Sequence, residues 1–120
     1  MIDYLSQQNY QILAPSLFLY EVLAIAKVNK MNNKEIDDII SKLQNLGLQL
    51  QELNSECVEK ALQICDAGHD KSGFPSFYDA SYHALAILND CYFITADKRH
   101  FIKTEQLGNI VLLSDWEMVF

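Results

Sequence analysis

Short β-rich runs alternate with segments of helical period, and this alternation constrains the chain more than any other feature. The runs are Ile12-Leu-Ala14, Leu48-Gln-Leu-Gln-Glu-Leu53, Cys91-Tyr-Phe-Ile-Thr95 and Asn109-Ile-Val-Leu-Leu113. Residues 2–9 read as the tail of a helix. Pro15 and Ser16 open a helix to about Lys30, since both residue types favour helix starts. Asn32 and Asn33 form a turn. From Lys34 to Leu46, Ile36, Ile39, Ile40, Leu43 and Leu46 recur at helical spacing, and Gly47 stops the pattern. Asn54 or Ser55 caps a helix through Ala67, residues 68–75 form a polar loop, and Ser76 begins a helix to about Asn89. Residues 98–107 form a short helix or loop. Strands separated by helices in this way predict an α/β domain with a mainly parallel sheet.

The chain has 120 residues, half of them hydrophobic. That suits a single domain, residues 1–120, with a real core. No apolar stretch approaches the roughly 20 residues that span a bilayer, and the polar start MIDYLSQQNYQ is unlike a signal peptide, so no membrane association is expected and cytoplasmic residence is the default. Cys57, Cys65 and Cys91 are odd in number and match no zinc spacing; they read as reduced thiols. His69, His83 and His100 form no HxH or HExxH pair, so structural zinc is not expected. The net charge of −7 argues against broad nucleic-acid binding. Its distribution is uneven, however. Lys98, Arg99, His100 and Lys103 cluster after Asp97, whereas Glu35, Asp37, Asp38, Glu52, Glu56 and Glu59 read as solvated helix faces.

Three acids stand where a parallel sheet places its ligands, near the carboxyl ends of strands. Glu21 lies on the helix after the first strand, with the apolar Leu17, Phe18, Ala24 and Ile25 three and four residues away. A carboxylate on or beside a packed face with no cation is costly. Asp79 lies in the first turn of the helix that leads into CYFIT, and Asp97 directly follows that strand. Each has a plainer role: Glu21 as an exposed acid, Asp79 as part of the S-x-x-D cap of Ser76, and Asp97 as a turn or cap residue. Carboxylates gathered at one sheet end repel by about 4 kcal/mol at 4 Å and an effective dielectric of about 20. A hard ion such as Mg²⁺ or Mn²⁺ offsets that repulsion and serves an anionic substrate.

The segments LAPSLFLYEVLAIA, FYDASYHALAILNDCYFITADKRHF and GNIVLLSDW resemble PIN domains, closest to the VapC-type toxin ribonucleases. The most specific element is YDASYHALAILNDCYFITADKRHF, an Asp on a helix followed by a T-A-D turn. The resemblance implies a three-layer α/β/α fold, Mg²⁺ or Mn²⁺ as cofactor, and catalytic metal ligands at Glu21, Asp79 and Asp97. It puts the hydroxyls of Ser16 and Thr95 behind those ligands. PIN domains begin with a central strand ending in an Asp, as D-[TS]-[NS]. The chain as read starts after it, and Asp3 lies in the helix that follows. A truncated or degenerate PIN domain is therefore expected, completed by dimerisation.

Lys98 and Arg99 are candidates for holding an RNA phosphate, with a solvated turn as the alternative. His83 shares a helix face with Asp79, and packing is its expected role. Phe74, Phe77, Tyr78, Tyr82 and Trp116 are expected mostly in the core, with base stacking as the alternative. Asp115 is assigned no role. Two functions follow from these readings. One is a metal-dependent endoribonuclease that cleaves single-stranded RNA by a metal-activated water. The other is an inactive remnant serving as a dimerisation or antitoxin-binding module.

Overall fold

In the computed structural model of the chain, residues 1–68 and 73–120 are described, with the side chains of residues 2, 3 and 6 left aside. His69 and part of the expected polar loop thus lie outside the described residues. The elements run α1 (Ile2–Gln7), β1 (Ile12–Pro15), α2 (Leu17–Val28), α3 (Asn33–Asn45), β2 (Leu48–Gln51), α4 (Ser55–Cys65), α5 (Phe77–Leu88), β3 (Phe93–Thr95), α6 (Lys98–Thr104) and β4 (Ile110–Leu112). Short 3-10 helices cover Glu105–Leu107 and Leu113–Met118. This is an α/β fold of parallel strands and helices, consistent with a PIN-like architecture. The chain divides into two compact units, Met1–Glu52 and Leu53–Phe120.

In the first unit β1 pairs in parallel with β2, Ile12 opposite Leu48 and Pro15 opposite Gln51. Pro15 is tolerated because β1 is an edge strand among the described residues and the Ser16 amide, not position 15, donates to Gln51 O, so the missing N–H faces away from β2. Asn32 is more than the expected turn residue. Its side chain accepts the Glu35 amide while Glu35 reaches back to the Asn32 amide, a complete capping box that starts α3. Gly47, at φ +78°, ends the helix in a conformation that costs glycine little. The apolar residues of α2 are less covered than their pattern predicts. Only Ala26 is buried, while Tyr20, Ile25 and Val28 are 72%, 61% and 80% exposed.

In the second unit β3 pairs in parallel with β4, Phe93 opposite Ile110 and Thr95 opposite Leu112. Asn54 starts α4 by accepting the Cys57 amide at 2.9 Å. The core sits between α4 and α5, where Ala61, Ile64, Ala80 and Ala84 are buried, with Cys65 and Ile87 packed against them. Three alanines let the helix backbones approach closely, so the interface tolerates little added volume. The two strand pairs form separate two-stranded ladders among the described residues.

Candidate active site

Glu21 and Ser16 belong to the first unit; Asp79, Thr95, Asp97, Lys98 and Arg99 belong to the second. Glu21 is half-buried in the second turn of α2, where Leu17 and Phe18 are half-buried and Ala24 and Ile25 exposed. The packed face expected around it is thus only partly formed. Ser16 stands at the start of α2 but does not cap it. Its backbone is already helical (φ −55°, ψ −27°), whereas a capping serine uses an extended backbone to reach the next turn. Its hydroxyl instead donates to Glu52 Oε1 at 2.8 Å. Ser16 and Glu52 each stand one residue past the end of a paired strand, because β1 and β2 end in register.

Asp79 is half-buried in the first turn of α5 and is tied to the cap. Its amide donates to Ser76 Oγ at 3.1 Å, and the Ser76 hydroxyl donates to Asp79 Oδ2 at 3.2 Å. The expected S-x-x-D cap is therefore present, although the carboxylate meets the serine hydroxyl rather than the serine amide. Asp97 caps α6. Its Oδ1 accepts the amides of Arg99 at 3.0 Å and His100 at 3.1 Å. Buried Thr95 holds the turn by accepting the Asp97 amide at 3.0 Å. One oxygen of Asp79 thus takes the Ser76 hydroxyl and one of Asp97 takes the first amides of α6, and no bond to the other oxygen of either is found among the described residues. Lys98 and Arg99 are exposed beside Asp97.

His83 and His100 are both core residues, at 0% and 2% exposure. The packing role expected of His83 holds, and His100, grouped in sequence with the basic residues after Asp97, is buried apart from the exposed Lys98 and Arg99. A backbone carbonyl only accepts, so His83 Nε2 carries the proton that goes to Gly108 O at 2.8 Å. His83 Nδ1 is then an acceptor, and His100 Nε2–H donates to it at 3.3 Å. His100 Nδ1 is left as a buried acceptor without a partner among the described residues. Phe93 lies against both imidazoles, with centroids 6.0 and 5.7 Å away, and Tyr82 stacks on its ring at 5.7 Å. Burial is the main cause that pushes both imidazole pKa values down. The charges of Asp79 and Asp97 act the other way on His100.

The aromatic residues divide. Tyr82 and Trp116 are half-buried, whereas Phe74, Phe77 and Tyr78 are exposed, Tyr78 at 63%. The expectation that these aromatics lie mostly in the core fails at these three; for Phe77 and Tyr78 the reason is that the inward face of α5 is taken by Ala80, Ser81, Ala84 and Leu85, and Phe74 lies before the helix.

The family profile described as PIN domain matches residues 2–107. The chain belongs to the PIN domain family. PIN domains are a nuclease family and are generally metal-dependent. No curated protein compared matches the chain. Within neither unit do three or more His, Cys, Asp or Glu side chains gather to hold a metal ion among the described residues. The donor chemistry of this PIN domain still fits a hard ion. Mg²⁺ commonly takes one or two carboxylates and completes its shell with water and substrate phosphate, and Asp79 and Asp97 each keep one carboxylate oxygen that meets no hydrogen-bond donor among the described residues.

No helix among the described residues is long and apolar enough to cross a membrane.

Proposed function

We propose that this PIN domain is a metal-dependent endoribonuclease of the VapC toxin type that cleaves single-stranded RNA. The observation that carries the reading is how Asp79 and Asp97 use their oxygens: one takes the Ser76 hydroxyl at Asp79 and the two amides that open α6 at Asp97, and the other has no hydrogen-bond partner among the described residues. Those two oxygens would hold Mg²⁺ or Mn²⁺, and Glu21 is kept as a further ligand on the family motif. When bound, the ion supplies an activated water and offsets the charge that develops on the phosphodiester. The protein's part is to hold its carboxylates still. Ser76 does so at Asp79, and Thr95 fixes the turn that carries Asp97. Lys98 and Arg99, exposed beside Asp97, are suited to phosphate oxygens. Phe77 and Tyr78, exposed between Ser76 and Asp79 at the start of α5, offer ring faces on which unpaired bases stack.

The test is cleavage of end-labelled single-stranded RNA by the purified chain with Mg²⁺, Mn²⁺ or chelator, beside the Asp79→Asn/Asp97→Asn double variant. Metal-dependent cleavage that disappears in the double variant is expected. Cleavage that survives it would sink the assignment.

A second reading is favoured by the first unit. Tyr20, Ile25 and Val28 of α2 are exposed, and α3 buries none of its residues. Such apolar exposure suits an interaction module, pairing with a second copy or with an antitoxin protein. A folded chain that never cleaves RNA, yet sediments as a dimer, would support this reading over the first.

A further inference from the structure

The two candidate carboxylates of the second unit sit on different helices, and a buried polar chain runs between those helices. Asp79 lies four residues before His83 on α5. Asp97 caps α6 three residues before His100, whose own amide is one of the two it accepts. The chain runs from His100 Nε2–H to His83 Nδ1, and from His83 Nε2–H to the carbonyl of Gly108.

Each link has one direction. The Gly108 carbonyl demands a proton from His83, so His83 demands one from His100. Both rings are buried, where an unmatched polar atom costs about 1–3 kcal/mol. The pair therefore favours one arrangement of α5 against α6 in a way that apolar side chains of similar size would not. Gly108 adds to this. Its φ of +76° and ψ of −176° fall in a region open essentially to glycine alone, and its carbonyl meets His83 from that conformation.

We propose that His83 and His100 are positioning residues that set the placement of Asp97 relative to Asp79 through their shared hydrogen bond. The inference rests on the nuclease reading above, since it concerns the spacing of two acids meant for one ion. His100 acts through the amide it donates to Asp97 and the bond it donates to His83, not through contact with substrate. The substitution that separates this role from simple core filling follows from covalent topology. Gln carries its amide nitrogen the same number of bonds from Cα as His Nε2, so His100→Gln retains the donor to His83. His100→Leu fills space and removes it.

The experiment is Mn²⁺ binding to the full chain, followed by the loss of the free-ion paramagnetic resonance signal, for the wild type, His100→Leu, His100→Gln and Asp97→Asn. The expected result is binding that needs Asp97, weakened about tenfold or more by His100→Leu and by less than about threefold by His100→Gln. A folded His100→Leu that binds Mn²⁺ as tightly as the wild type overturns the positioning role and leaves the nuclease reading intact. No Asp97-dependent binding by the wild type overturns both. Should His100→Leu fail to fold, His100→Gln decides: a folded Gln variant that loses about tenfold or more in affinity overturns the proposal. The ring nitrogens of the ¹⁵N-labelled wild type give a readout independent of any metal. Protons on Nε2 of both rings are expected, and a proton on His83 Nδ1 overturns the proposal.

Discussion

Ser76 and Asp79 hold each other across the first turn of α5: the serine oxygen accepts the aspartate amide, and the serine hydroxyl donates to the aspartate carboxylate. The serine therefore serves both the helix and the acid. Ser76→Ala is expected to lower stability by about 1 kcal/mol, as the loss of an N-cap does, and to weaken Mn²⁺ binding by freeing the Asp79 side chain. Urea unfolding and a metal titration on the same preparation check both. A Ser76→Ala protein that keeps wild-type stability would show that this cap contributes nothing.

Asp97 separates its structural and chemical roles more sharply. Asn caps helices about as well as Asp, and in Asp97→Asn the remaining side-chain oxygen can still accept the two amides. This variant should stay within about 0.5 kcal/mol of wild-type stability while losing roughly tenfold to a hundredfold or more in metal affinity. Asp97→Ala should lose the same affinity and about 1 kcal/mol of stability besides. Equal destabilisation by the two substitutions would mean that the charge, not the acceptor, holds α6.

Acid should destabilise the second unit through His83 and His100. Desolvation lowers the pKa of both rings. At His83 the Gly108 carbonyl opposes it and Lys60 adds to it; at His100 Asp79 and Asp97 oppose it, and His83 and Lys103 add to it. In the unfolded chain both titrate near about 6.5. Below that pH the unfolded state binds protons that the folded state refuses, so stability falls as pH drops from about 6.5 toward the depressed folded values, and it is flat above. The slope approaches about 1 kcal/mol per pH unit for each ring. Urea midpoints at about pH 7.5, 6.5 and 5.5 measure it. A midpoint unchanged down to about pH 5.5 contradicts neutral burial of the pair.

Gly108 offers a backbone test. A Cβ added there meets nothing within 4 Å, so Gly108→Ala carries a conformational cost alone, about 1–3 kcal/mol. Any backbone adjustment also moves the carbonyl away from His83 Nε2. The variant should lose stability by that amount and show an altered His83 ring resonance. A Gly108→Ala protein as stable as the wild type would mean that this φ is not enforced.

Much of this was legible in the sequence because helix starts and stops are local. Asn54 and Ser76 act as the caps their positions predict, and Gly47 ends α3. The acids at the starts of α5 and α6 could be found from a serine three residues before one and a strand end before the other. Ser16 stands at the strand end and helix start expected of it, but the bond of its hydroxyl could not be read, since its partner Glu52 is 36 residues away and its own backbone had already turned helical. His100 was hidden among Lys98, Arg99 and Lys103, whose charge suggests a wet surface. What buries it, Phe93 and His83, comes from other elements. Phe77 and Tyr78 misled in the opposite sense, because alanines occupy the inner face of α5.

The unequal spans of the two strand pairs bear on how the protein is born. β1 meets β2 by joining residues 12 and 48, whereas β3 meets β4 by joining residues 93 and 110, 17 apart against 36. Closing the longer segment costs roughly 0.7 kcal/mol more in chain entropy, and pairings close in sequence form sooner. On a ribosome the order of emergence is the reverse. The first ladder is complete in the nascent chain while β3 and β4 are still unmade, and the half that closes most readily is the half synthesised last. Refolding from urea and folding during translation should therefore begin at opposite ends of this chain.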